Sequence, residues 1–300
     1  MSYRILITGS AGLIGTALRI TLEATGTDVV GLDLVGQSSE RGDVRSIGDV
    51  RAAIAGCAGV IHLAAIARVA AAERDPDTCW HTNVGGLRNV VDAAGSLTRP
   101  PWILFASSRE AYGQPERLPA TEDTPLQPVN VYGRSKVEGE GILLAAGRRG
   151  MRTAVVRLAN VYGAVRDHAD RVIPAFARAA ALGSALHVEG PERTFDFVHV
   201  DDTCRGIAAL VTLLAIEGDP LPTVQLTTGV PTSLGELARL TVELGAKRSP
   251  IHQARPRTYD VSHFYGCPDR ARRLLGWVPQ VTLTDGLNRL FRTDLPPVAL

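Results

Sequence analysis

The segment Ile5-Leu6-Ile7-Thr8-Gly9-Ser10-Ala11-Gly12-Leu13-Ile14-Gly15 constrains this chain more than any other. A short apolar run rich in β-branched residues predicts a strand. Glycines spaced G-x-x-G-x-x-G follow, and then Thr16 to Leu22 with helical periodicity. Glycines there let the backbone turn tightly and approach a pyrophosphate, while the N–H groups and positive end of the new helix face the phosphates. An ordinary strand–turn–helix would carry similar glycines. The next strand, Asp28 to Asp33, separates the two readings. It ends in an acid roughly 20 residues after the glycines, where a carboxylate can hydrogen-bond an adenosine ribose. The pair of features predicts dinucleotide binding. Asp33 would repel a 2′-phosphate and Leu34, Val35 and Gly36 offer no cation for one, so the expected cofactor is NAD.

With 300 residues the chain can build one large or two small domains around a substantial core. Its net charge of +1, with acids and bases interspersed, argues against a nucleic-acid surface or an electrostatic membrane anchor. Tyr3 to Thr8 is too short for a secretory leader and runs straight into the glycine loop. No apolar stretch approaches the roughly 18 residues a membrane span needs. Cys57, Cys79, Cys204 and Cys267 lack C-x-x-C spacing and read as reduced thiols of a cytoplasmic protein. The seven histidines show no ligand spacing, so no metal site is expected.

Strand-like and helix-like segments alternate through the first half, predicting an α/β fold with a doubly wound parallel sheet of Rossmann type. Further strands are expected at Gly59 to Ala64, Trp102 to Ala106 and Thr153 to Leu158, and helices at Ser46 to Ala55, Pro76 to Ser96 and Val131 to Arg149. From about Asn160 shorter elements and Pro174, Pro191, Pro220, Pro222 and Pro231 predict a smaller C-terminal lobe. The expected division gives residues 1–160, with a returning segment near 194–215, to the dinucleotide-binding domain. Residues 161–193 and 216–300 fall to a substrate-binding lobe. Leu295-Pro296-Pro297 reads as a frayed tail.

Tyr132-Gly133-Arg134-Ser135-Lys136 places a Tyr and a Lys at i and i+4 near a helix start, projecting from one face. A phenol, with an ordinary pKa of about 10, is a poor base at neutral pH. A neighbouring ammonium and an oxidised nicotinamide favour its ionised form. An exposed surface pair would show the same spacing. The preceding strand, however, ends in Ala106-Ser107-Ser108, at the sheet edge where open α/β sheets bind ligands.

The glycine loop, Asp33, Ser108 and Tyr132/Lys136 together resemble the extended short-chain dehydrogenase/reductase superfamily, and more narrowly its NAD-dependent sugar-nucleotide epimerase/dehydratase family. The resemblance runs through Gly42-Asp43-Val44-Arg45, His62-Leu63-Ala64-Ala65, Asn83-Val84-Gly85-Gly86 and Ala111-Tyr112-Gly113. It continues through Arg157 to Gly163, Asp196 to Asp202 and Leu275-Gly276-Trp277-Val278-Pro279. It implies NAD held by Gly9, Gly12, Leu13, Ile14, Gly15, Asp33, Asp43, Val44, Leu63, Ala64, Ala65, Asn83, Ser107, Tyr132 and Lys136, with Asp43 at the adenine. Tyr132 would deprotonate a sugar hydroxyl, Lys136 would hold the nicotinamide ribose and lower the phenol pKa, and Ser108 would hold the same hydroxyl. Glu110 matches the base position of dehydratases and decarboxylases. Ser108, Arg109, Asn160, Arg193 and Arg257 would meet substrate.

Two positions depart from the family pattern. The arginine usually found immediately before Asp196 is replaced by Phe195, and Arg193, on the same side of a strand, is expected to take over its phosphate contact. Arg109 stands where dehydratases carry an acid, which speaks against 4,6-dehydration. It is free either to clamp a C6 carboxylate or to pair with Glu110 or Glu116. The expected activity is therefore that of an NAD-dependent nucleotide-sugar 4-epimerase working through a transient 4-keto sugar. The alternatives are a UDP-glucuronate-type decarboxylase or dehydratase, or a net sugar dehydrogenase or ketoreductase. Asp201-Asp202 read as helix capping, His62 as a packed and satisfied histidine, and Trp277 and Phe291 as core of the small lobe. Apolar faces around Leu87 to Val91 and Ile142 to Leu144 suit either core or the helix bundle of a family-type homodimer.

Overall fold

The computed structural model of the protein describes residues 4–164, 167–168, 170–216, 218–245, 248–255 and 261–293. Six parallel strands form the central sheet. β1 (Arg4–Thr8) pairs with β2 (Asp28–Leu32) on one side and β3 (Gly59–His62) on the other. Beyond β3 lie β4 (Trp102–Ser108), β5 (Thr153–Leu158) and an edge strand, Val224–Leu226. The chain leaves β1 in one direction for β2 and returns in the other for β3. That reversal opens a crevice at the strands' C-terminal ends, where the glycine loop emerges.

Every residue of β4 and β5 is buried, as near-continuous apolar strands covered on both faces must be. One covering layer packs Leu18 and Leu22 of the Leu13–Glu23 helix with Ile207, Leu210 and Leu214 of the Val200–Ala215 helix. The other packs Val50, Ile54, Leu87, Val90 and Leu143 from the helices Ile47–Ile54, Gly86–Gly95 and Val131–Arg148. A separate apolar cluster, including Phe176, Val188, Phe195, Leu237 and Leu287, holds the small lobe, with Phe291 packed against it.

Several expectations change. The Pro76 to Ser96 helix consists of Pro76–Trp80, a π-helical turn His81–Gly85, and Gly86–Gly95. Val224–Leu226, expected among the small-lobe residues, joins the sheet, and Ala271 and Trp277 enter the layer beneath it. Trp277 is thus core of the large domain, its indole N–H donating to the Asp202 carbonyl at 2.8 Å. The cap of the Val200–Ala215 helix is His199, whose Nδ1 accepts from the Asp201 N–H at 3.2 Å. Asp201 and Asp202 occupy the first turn, where carboxylates suit the helix dipole. Asp202 also receives the Gln280 and Val281 N–H groups at 3.0 and 2.9 Å. Asp196, fully buried, accepts from Thr228, Gly229 and Gly266 and joins the two lobes. Leu295 to Pro297 and Arg257 lie outside the described residues.

Candidate active site

At the end of β1 the backbone crowds so closely that only glycine fits. Gly9 has φ +72°, and a Cβ there would stand 2.7 Å from the Ala64 nitrogen; a Cβ on Gly15 would stand 2.3 Å from the Gly9 oxygen. Gly12 occupies the N-cap of the Leu13–Glu23 helix and supplies no side-chain cap, so its first turn is ready for an anion. Asp33 closes β2, its carboxylate oriented by the Ala11 and Val35 N–H groups, both at 3.0 Å. The loop after β3 brings Leu63, Ala64 and Ala65 to the same crevice, with the Ala64 N–H on Thr8 Oγ1 at 3.3 Å. Leu63, Ala65 and Ile14 line the cleft. Crowded glycines, an uncapped helix N-terminus and a ribose-facing acid fit NAD.

Not every residue expected at the cofactor has a free side chain. Asp43 is held by the Arg45 guanidinium at 2.6 Å, which pulls its carboxyl below the usual range, while Val44 is buried. Asn83 spends its amide on the Ile66 N–H and carbonyl (2.8 and 3.2 Å) and on Ser135 Oγ (2.9 Å). It therefore fixes the loop behind the cofactor groove from within the π-turn, a deviation typical of functional sites. Ser107, which lines the cleft with Ser108, donates its hydroxyl to Glu140 at 2.5 Å. Glu140 in turn holds Arg157 through two bonds of 2.9 and 2.7 Å, a buried pair the sequence reading missed. It also missed Arg41, whose Nε donates to the Leu34 carbonyl beside Asp33 at 3.2 Å. His62 is only half satisfied. Its Nδ1 meets Thr8 Oγ1 at 2.8 Å, its Nε2 has no partner among the described residues, and burial lowers its pKa to about 3.

Asn130 caps the Val131–Arg148 helix by accepting the Gly133 N–H at 2.8 Å, and so aims Tyr132 and Lys136 at the C-terminal end of β4. Lys136 is 3% exposed; its Nζ donates to the Ala106 carbonyl at 2.7 Å and stands over the Tyr132 ring, 5.6 Å from the centroid. Burial lowers the ammonium to about 8. Burial likewise pushes the Tyr132 phenol up to about 12, while its hydrogen bond with Ser108 and the Arg171 charge act the other way. Arg171 and Asp167, 3.3 Å apart, and the Arg68–Asp170 ion pair line the opposite wall, unforeseen from sequence. The cleft has a volume of about 560 Å³ and includes Ser108, Tyr132, Lys136, Asn160 and Arg193.

Arg109 does not turn outward. Its Nη2 meets Glu110 Oε1 at 2.7 Å, its Nε donates to Asn160 Oδ1 at 2.5 Å, and its guanidinium lies 4.6 Å from the Phe195 ring centre. Glu110 accepts a second bond, from Asn130 Nδ2 at 2.8 Å, which ties up the carboxylate expected to act as a base. Phe195 thus serves as a platform for Arg109, and Arg193 lines the same cleft from the strand edge.

A doubly wound sheet, a glycine-loop nucleotide groove and a Ser/Tyr/Lys centre at its mouth define a dinucleotide-dependent enzyme of the extended short-chain dehydrogenase/reductase superfamily. Residues 5–218 match the NAD dependent epimerase/dehydratase family, and the chain belongs to it. Its cofactor is NAD. The chain is 30% identical to the UDP-glucose 4-epimerase of Mycolicibacterium smegmatis, covering 95% of this chain and 96% of that one. It is 31% identical to the dTDP-glucose 4,6-dehydratase of Streptomyces griseus, covering 96% and 92%. Among solved structures it resembles MoeE5 in complex with UDP-glucuronic acid and NAD, at 25% identity and TM-score 0.88, covering 96% and 97%.

Proposed function

We propose that this protein is a nucleotide-sugar 4-epimerase acting through a transient 4-keto sugar. The observation that carries this reading is the lock on Glu110. Of the two side chains expected to act on a substrate proton beside Ser108, Glu110 has one oxygen on Arg109 and the other on Asn130. Tyr132 is left. Inverting C4 needs one such group, which takes the hydroxyl proton and later returns it to the oxygen of the opposite epimer. Dehydration and decarboxylation in this family draw on a further acid or base at the Glu110 position.

Bound NAD supplies the hydride acceptor and donor at C4. Ser108 and Tyr132 hold the C4 oxygen between them, and Ser108 stabilises the charge that develops when the phenol gives up its proton. Lys136, anchored on Ala106, places its ammonium at the Tyr132 ring face and would hold the nicotinamide ribose. Arg193 and Asn160 are proposed to meet the nucleotide diphosphate.

Free thiols at all four cysteines suit a reducing cytoplasm. The proposed partner is a second copy of the chain, docked on the helices 76–95 and 131–148, which present Trp80 and Leu144 outward at 41% and 57% exposure.

The test is product analysis by NMR after incubation with UDP-glucose, UDP-glucuronate and dTDP-glucose, together with assay of NAD in the purified protein. The expected result is an equilibrium mixture of 4-epimers with NAD retained through many turnovers. Release of NADH in step with product, or a 4-keto-6-deoxy or decarboxylated product, overturns the reading.

A further inference from the structure

Arg109 and Phe195 are separate departures in sequence, and the fold stacks one on the other. The guanidinium is fixed by Glu110, by Asn160 and by the Phe195 face, so it cannot swing to follow a ligand. Its remaining terminal nitrogen, Nη1, is buried and has no hydrogen-bond partner among the described residues. Its neighbour along the chain is Ser108, which with Tyr132 forms the proton-transfer centre. The Glu110 charge is felt at the Tyr132 phenol. The Arg109–Glu110 pair therefore stands beside that centre.

We propose that Arg109 and Glu110 form a charge-cancelled wall that selects a neutral sugar and excludes a hexuronate. This rests on the nucleotide-sugar reading above. The pair lines the cleft beside Ser108 with its two charges joined at 2.7 Å. A hydroxyl meets this wall at no electrostatic cost. A carboxylate stands against the Glu110 carboxylate, which already neutralises the Arg109 guanidinium. The opposite wall offers no compensation from Arg171 or Arg68, since Asp167 and Asp170 balance them. Selection comes from repulsion by Glu110.

NAD-loaded wild type, Glu110→Gln, Arg109→Ala and the double variant are titrated with UDP-glucose and UDP-glucuronate, and kcat/KM is measured for both. Wild type is expected to prefer UDP-glucose by about tenfold or more, in Kd and in kcat/KM, as unpaired or repelled charges in a closed site discriminate strongly. Glu110→Gln keeps the shape and removes the countercharge; it should narrow or invert that ratio through a gain on UDP-glucuronate. Arg109→Ala leaves the Glu110 charge uncancelled and should widen the ratio, without any such gain. The double variant should also show none, because the gain requires the unmasked guanidinium. A wild-type preference for UDP-glucuronate overturns the proposal, as does an unchanged ratio in Glu110→Gln of wild-type Tm. Should no variant turn over either sugar, the epimerase reading falls, while the ratio of the two Kd values still decides this one.

Discussion

Tyr132 sits deep in the cleft with 8% of its surface exposed, and burial holds its phenol near 12, two units above an ordinary tyrosine. The protein without cofactor therefore keeps this group protonated at neutral pH. The Ser108 bond and the Arg171 charge already favour the ionised form, and a cationic nicotinamide adds to them. Tyr132→Phe preserves the packing against Ala72 and Cys79 and deletes the proton-transfer atom. Its kcat should fall by about 10²–10⁴-fold while NAD affinity and Tm stay at wild-type values, measured by turnover, titration and calorimetry. Near-normal turnover would remove Tyr132 from the mechanism. At this scale the proximity of Tyr132, Lys136 and Ser108 was legible in the sequence, because helix spacing and a strand end place them in one cleft. The lock on Glu110 was hidden. Its partner Asn130 comes from another loop, and Arg109 is held by Asn160 and Phe195, whose proximity only the fold creates.

Between β4, β5 and the helix Val131–Arg148 a polar tie crosses the core. Ser107 meets Glu140, Glu140 meets Arg157, and Arg157 continues to Tyr112 at 3.0 Å and to the Glu122 carbonyl at 2.9 Å. The carboxylate beside it raises the Arg157 guanidinium above its ordinary value. Glu140→Ala strands that charge in the interior and should lower stability by about 3–5 kcal/mol in denaturant titration. Glu140→Leu with Arg157→Met should lose clearly less, since an apolar pair removes both charges. Equal losses in the two variants would contradict this account. Continuous apolar runs and the glycine loop made the first five strands legible. The edge strand Val224–Leu226 was not, being three residues among prolines with no period to read. The π-turn at His81–Gly85 was also illegible, because it exists to let Asn83 reach Ile66 and Ser135.

For the whole molecule, the outward faces of the paired helices are the proposed place for a second copy. Gly85 and Gly141 have open space where a Cβ would be, and Trp80 and Leu144 stand exposed, so another helix pair can approach closely. Leu144→Glu should convert the proposed dimer to monomer in light scattering at micromolar concentration, without changing the cofactor content per chain; a wild-type mass for the variant would place the interface elsewhere. Within one chain the path is woven rather than sequential. Residues after the exposed stretch at Asp219 return to finish what earlier residues began: Val224–Leu226 edges β5, Thr228, Gly229 and Gly266 saturate Asp196, and Gln280 and Val281 seize Asp202. A protease that nicks the backbone there produces two pieces that stay clasped, each carrying half of every one of these bonds. Neither piece made alone has a surface fit for water, so the enzyme tolerates a cut far better than a truncation.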